Sequence, residues 1–154
     1  MRILGLDVAT RTGWVLLEDG KPEAYGLIEL KGEAEHRDKL RKIRKEINII
    51  VKEQKPDVIA IETVYVSTNP KVSALLNMLR GVILESIPKK IHIISVVNSS
   101  AKKLVLGKGN LKKEDVFNWA VSLYKLDDFE FKMHNDITDA ILLATAGEIK
   151  INQE

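Results

Sequence analysis

At 154 residues, 45% of them hydrophobic, the chain has enough apolar material for one ordinary core and is expected to form a single domain over residues 1–150, with 151–154 as a loose tail. Its 24 basic and 22 acidic residues nearly cancel, so net charge points to no partner class, and the absence of cysteine excludes a disulfide framework, thiolate metal sites and cysteine nucleophiles. No run approaches the roughly 20 apolar residues of a membrane span, so a soluble protein without membrane contact is expected, and a cysteine-free chain suits the reducing cytoplasm.

Ile3 to Leu6 reads as a buried strand closed by a polar cluster from Ala9 to Gly13. Asp7 falls at the end of that strand, where an ionised carboxylate costs several kcal/mol unless something compensates it. Either a metal does so, or Asp7 accepts hydrogen bonds from the turn amides of Ala9 and Thr10. Trp14 to Leu17 and Ala24 to Leu30 are two further strands, and Asp19-Gly20 between them is a hairpin signal. From Glu33 to about Gln54 the apolar residues Leu40, Ile43, Ile47, Ile50 and Val51 fall at helical spacing, and Arg37 to Lys55 is locally basic.

Lys55-Pro56-Asp57 ends that helix, and Val58 to Ile61 is a fourth buried strand leading into Glu62. Strand, helix and buried strand make a crossover unit with a parallel pair, which puts Glu62 at the sheet edge where ligands usually bind. Thr63 to Asn69 is a polar loop with one aromatic, Tyr65. A helix from Pro70 to about Ser86 carries a broad apolar stripe, including Leu75, Leu79, Val82 and Ile83, and Gly81 permits close approach of another backbone. A subunit contact and a fully buried helix both fit that pattern.

Ile91 to Val97 is a fifth strand, with Asn98-Ser99-Ser100 placed to cap the next helix. The basic stretch Lys102 to Lys113, broken by Gly107 and Gly109, can bring Lys102, Lys108, Lys113 and backbone amides to phosphates, although a solvated lysine loop has the same composition. Glu114 to Leu126 is helical. The final helix opens at His134 to Asp136, so that Asp136 and Asp139, three apart, share one face near its positive end, where two acids also serve as caps.

Asp7, Glu62, Asp136 and Asp139 thus converge on one side of one sheet. Hard oxygen ligands without cysteine suit magnesium, with manganese as a substitute, and two such ions about 3.5–4 Å apart form the site that hydrolyses phosphodiesters. On the residues alone the chain reads as a metal-dependent nuclease.

The ordered set Ile3 to Asp7 with Thr10 to Trp14, Pro56 to Tyr65, Leu79-Arg80-Gly81, Lys102 to Gly107 with Gly109 and Lys113, and Asp136-Ile137-Thr138-Asp139-Ala140 resembles the RuvC Holliday-junction resolvases of the RNase H-like superfamily. The likeness runs from Arg2 to about Ala146. It implies an α/β fold, a mixed five-stranded sheet of three antiparallel strands then two parallel ones, with helices on both faces. It implies that the four acids hold two divalent ions, that Lys102 and Lys113 contact junction phosphates, and that Tyr65 acts at the crossover. It also implies a homodimer through the helix from Pro70, for which Leu75, Leu79, Val82 and Ile83 are the candidate contacts. Four-way junction DNA is the expected partner, cut to 5′-phosphate and 3′-hydroxyl ends, with branch-migration proteins as a further partner class.

Two departures stand out. Val8-Ala9 replaces the Pro-Gly usual in the family after the first aspartate, and His134 lies two residues before Asp136, where it is a weaker candidate ligand. The rival readings are a YqgF-like RNA-processing nuclease and a junction-binding module without catalysis. A sugar-kinase-like ATPase would need a second domain.

Overall fold

Residues 1–63, 66 and 68–154 are described in the structure, a computed structural model. Strands β1 (Arg2–Asp7), β2 (Arg11–Glu18) and β3 (Lys21–Glu29) form an antiparallel meander. On the other side of β1, β4 (Val58–Glu62) and β5 (His92–Val96) continue the sheet in parallel, giving the order β3-β2-β1-β4-β5. The β2–β3 turn is the expected hairpin: Asp19 and Gly20 both take positive φ, 50° and 78°, as the tight turn that matches strand twist requires.

Helices α1 (His36–Gln54) and α2 (Pro70–Ser86) cover one face of the sheet, and α3 (Asn98–Leu106), α4 (Lys113–Tyr124) and α5 (Phe131–Asn152) the other. Strand alternation assigns the side chains to these layers. Leu4, Leu6, Ile59 and Ile61 meet Ile43, Ile47, Leu79 and Ile83 on one face, while Ile3, Val58 and Ala60 meet Ala140, Ile141 and Ala144 on the other. By the same alternation Asp7 and Glu62, the residues next beyond the paired Leu6 and Ile61, belong to the α5 face.

Helix ends follow local chemistry. Lys55 takes φ 47° and donates its N–H to Val51 O before Pro56 forbids continuation of α1. Pro70 occupies the first turn of α2, whose N-cap Asn69 accepts from the Lys71 amide at 3.0 Å.

Several expectations are corrected. α5 begins at Phe131, with Glu130 as N-cap, so Asp136 lies in its second turn and Asp136 and Asp139 are too far in to cap it. The same helix continues through Asn152, so the expected tail from Ile151 starts as its last turn. Asn98 lies inside α3 behind an N-cap Val97 that makes no side-chain bond. On α2, Leu75, Leu79 and Ile83 are enclosed within the subunit against α1 and the sheet, Leu79 and Ile83 with no exposure at all, so they offer nothing to a second chain. The outward face of α2 carries Met78 and Gly81, with Val82 half-buried beside them, while Val72, exposed near the helix start, lies seven residues before Leu79 and so on the line of the inner face.

Candidate active site

Two glycines set the distance between sheet and α5. A Cβ on Gly5 would overlap the carbonyl oxygen of Ala140, and one on Gly13 would overlap that of Asp136. Bare backbone at these points lets α5 lie directly on β1 and β2, which carries Asp136 and Asp139 over the end of β1 where Asp7 sits. The carboxylates of Asp7, Asp136 and Asp139 each place an oxygen so that all three lie within 4.8 Å of one another. Glu62, at the adjacent strand end, joins Asp7 and Asp139 in lining a cleft of about 500 Å³, with Lys113 and the start of α3 at Asn98 and Ser99 completing its wall.

The turn after β1 is closed by its own residues. Thr12 Oγ1 donates to Ala9 O at 2.7 Å and accepts from Ala9 N at 3.2 Å. Among the described residues neither turn amide donates to Asp7, so the reading in which Ala9 and Thr10 stabilise its charge is not the one the fold adopts. Burial instead raises the Asp7 carboxyl well above the ordinary range, and the charges of Asp139 and Glu62 push it further. Burial and Asp139 likewise raise Glu62, against the opposing pull of Lys113 and Lys102. Asp139 is raised by burial, partly offset by Lys113.

One cation answers these acids directly. Lys113 Nζ lies 3.1 Å from Asp139 Oδ2, and although burial alone lowers the ammonium's proton affinity, the charges of Asp139 and Asp7 raise it on balance. Lys102 on α3 is close enough to act electrostatically on Glu62 and Asp139, whereas Lys108 is exposed in the loop beyond Gly107. The carboxylate arrangement fits a divalent cation: three oxygens converge, all are hard ligands, and charge repulsion among them is only partly relieved by Lys113 at Asp139 and Arg11 at Asp136.

Arg11, a residue the sequence did not single out, fixes the fourth acid. Its Nε is 3.5 Å from Asp136 Oδ2, Nη1 donates to Lys132 O at 3.1 Å and Nη2 donates to Met133 O, so one guanidinium ties the start of β2 to the first turns of α5. No local pattern announces this role; only its place two residues before Gly13 hints at it. His134 stands outside the group of acids among the described residues. Its Nδ1 accepts from the Glu130 amide at 2.8 Å and its ring stacks on Phe129, centroids 4.5 Å apart, so it serves the helix start. Tyr65 lies outside the described residues.

Comparison with known proteins agrees with this geometry. A family model described as "Crossover junction endodeoxyribonuclease RuvC" matches residues 3–146. Curated relatives of that same description include one from Ehrlichia canis, 32% identical over 149 residues and covering 94% of both chains. Another, from Chlamydia trachomatis, is 28% identical over 149 residues, covering 92% of this chain and 88% of its own. Among solved structures, that of Thermus thermophilus RuvC in complex with Holliday junction substrate superposes with a TM-score of 0.83 at 12% identity, covering 99% of this chain and 96% of that one. With the mixed sheet, the acids at its edge and a family match spanning nearly the whole length, the chain belongs to the RuvC family of crossover junction endodeoxyribonucleases.

Proposed function

We propose that this protein resolves four-way DNA junctions by hydrolysing one phosphodiester on each of two opposed strands, with Asp7, Glu62, Asp136 and Asp139 holding two Mg²⁺ ions, for which Mn²⁺ substitutes. The observation that carries the proposal is the meeting of Asp7, Asp136 and Asp139 within 4.8 Å, beside a cleft that Asp7 and Asp139 line together with Glu62 and Lys113. Bound divalent ions would lower the proton affinity of the attacking water and neutralise charge on the phosphate.

The chain's own groups supply the rest. Water oxygen bonds to phosphorus as the P–O3′ bond breaks, so the new oxygen stays on the 5′-phosphate and the 3′ oxygen leaves as a hydroxyl after taking up a proton. The Lys113 side chain is 58% exposed at the cleft wall, its ammonium placed to contact a phosphate oxygen while it offsets the charge of Asp139. Lys102 adds positive potential on the same side. Arg11 holds Asp136 in position through the helix carbonyls. Lys108, in the basic loop, adds a phosphate contact, and Tyr65 keeps the role that the family resemblance implies, action at the crossover. The protein works as a homodimer, since two opposed cuts require two sites, and the exposed Met78 and Gly81 of α2 are the surface for it.

The test incubates the protein with a synthetic four-way junction, a linear duplex and a structured RNA, each with Mg²⁺, Mn²⁺ or EDTA. Metal-dependent nicking of the junction alone is expected. Cleavage of RNA in preference would replace the substrate, and tight junction binding with no cleavage in either metal would leave a binding module.

A further inference from the structure

Helix α1 carries seven basic and three acidic residues, a net +4 in a chain whose total is only +2. The charges are ordered. Ile43, Ile47 and Ile50 face the sheet, while Arg37, Arg41, Arg44, Asn48 and Lys52 recur every three or four residues on the exposed side, one above another along the helix. Among the described residues the stripe makes a single ion pair, Arg44 Nη2 to Glu85 Oε2 at 3.0 Å, with both partners more than half exposed.

Two clefts flank the stripe. Towards the start of α1 a hollow of about 660 Å³ is rimmed by Arg37, Arg41 and Arg44 over an apolar floor of Leu40, Met78 and Val82. At its end a second, of about 730 Å³, gathers Lys52, Lys55 and Lys90. Its one acid, Asp57, is engaged with the Arg2 amide at 2.9 Å. The topology orients the whole. β3 ends at the same edge of the sheet as β1, and α1 leads from there to the start of β4, the edge opposite the carboxylates. The stripe from Arg37 to Lys52 therefore runs from the active-site edge down the side of the molecule, over roughly 22 Å at 1.5 Å per residue.

We propose that the outer face of α1 is a second DNA-contact surface, distinct from the cleavage cleft, which grips the phosphate backbone of one duplex arm as it leaves the junction. This rests on the reading that junction DNA is the substrate. Cations four residues apart stand about 6 Å apart along the helix axis, and the full stripe matches about seven base pairs at 3.4 Å each. Such a surface reads no sequence and adds affinity through counterion release. Docking a second copy of the chain on the arginines themselves would bring like charges together, which opposes association, so a homodimer through the outer face of α2 would sit beside the stripe and not over it.

The experiment compares wild type with Arg37→Gln/Arg41→Gln/Lys52→Gln, three exposed changes that leave the Arg44 pair intact. Binding is measured in EDTA by fluorescence anisotropy, on short-armed junctions and on junctions with each arm extended by about eight base pairs. The wild type is expected to bind the extended junction at least about 10-fold tighter, and the triple variant to lose that gain. The salt slope of the variant should fall by about 0.9 for each phosphate contact removed. Its melting temperature and its Mg²⁺-dependent cleavage of the short-armed junction should match wild type. A variant that keeps the arm-length gain, or that weakens both junctions equally, overturns the proposal, as does a wild type indifferent to arm length. Wild-type protein that gains from longer arms yet cuts no junction would support the stripe and refute the proposed nuclease.

Discussion

Asp7, Glu62 and Asp139 hold their protons more tightly than ordinary carboxyl groups, and burial is the largest cause for each. A carboxyl whose folded-state proton affinity exceeds its unfolded one favours the folded state most at low pH. That advantage is lost as pH rises from the ordinary carboxylate range through the raised value. Without divalent metal, the melting temperature should therefore fall as pH increases above about 4 through this window. Asp7→Asn should flatten the dependence, because it removes the most strongly shifted acid. Added Mg²⁺ should raise the melting temperature more at pH 8 than at pH 5, since ligands must be deprotonated to bind. Differential scanning fluorimetry across pH checks both, and a wild-type profile that rises through the window would contradict the electrostatics. The same residues separate binding from chemistry. Asp7→Asn or Asp139→Asn should lower the single-turnover cleavage rate by more than about 100-fold, the upper range for groups that merely support a metal ligand. Junction affinity should survive, because it depends on the lysines and arginines.

The packing of α5 and α2 decides what individual substitutions report. Gly13 sits under the Asp136 carbonyl, so Gly13→Ala forces α5 off the sheet. Overpacking of this kind costs about 1–3 kcal/mol, and here it should also reduce cleavage, measured alongside chemical denaturation. On α2 the inner and outer faces should diverge. Leu79→Glu buries a charge in the subunit's own core and should yield unfolded protein, whereas Met78→Glu alters the outer face and should yield folded monomers by light scattering and circular dichroism. Such a split was hidden in the sequence, because apolar residues occur on more than one side of α2 and periodicity alone does not say which side the sheet takes. Strands β1 to β4 were legible, since their apolar runs end at strong turn signals such as Asp19-Gly20 and Lys55-Pro56-Asp57. The start of α5 was not: Glu130 makes no side-chain cap bond, and the charged Asp127 to Lys132 segment carries no helical stripe. Asp7 could be named because a buried acid needs a reason, and Asp136 and Asp139 because residues three apart share a helix face, but Arg11 could not, as its partners lie more than 120 residues away.

At the scale of the whole molecule, the carboxylates occupy one edge of the sheet, while α2 runs away from that edge on the opposite face from α5. A two-fold pairing through Met78 and Gly81 would give an assembly with one acidic cleft per subunit. A four-way junction has approximate two-fold symmetry of its own, so such a dimer can present one cleft to each of two opposed strands, and the paired nicks leave ends that a ligase can seal. Pairing then becomes a kinetic property. On a plasmid carrying a cruciform, wild type should convert supercoiled circles to linear product with little nicked intermediate, because the second cut follows within one binding event. Met78→Glu, folded and monomeric, should accumulate nicked circles, and its linear product should appear only at protein concentrations where independent encounters become frequent. A monomeric variant that still makes paired cuts at low concentration would sever symmetry from function.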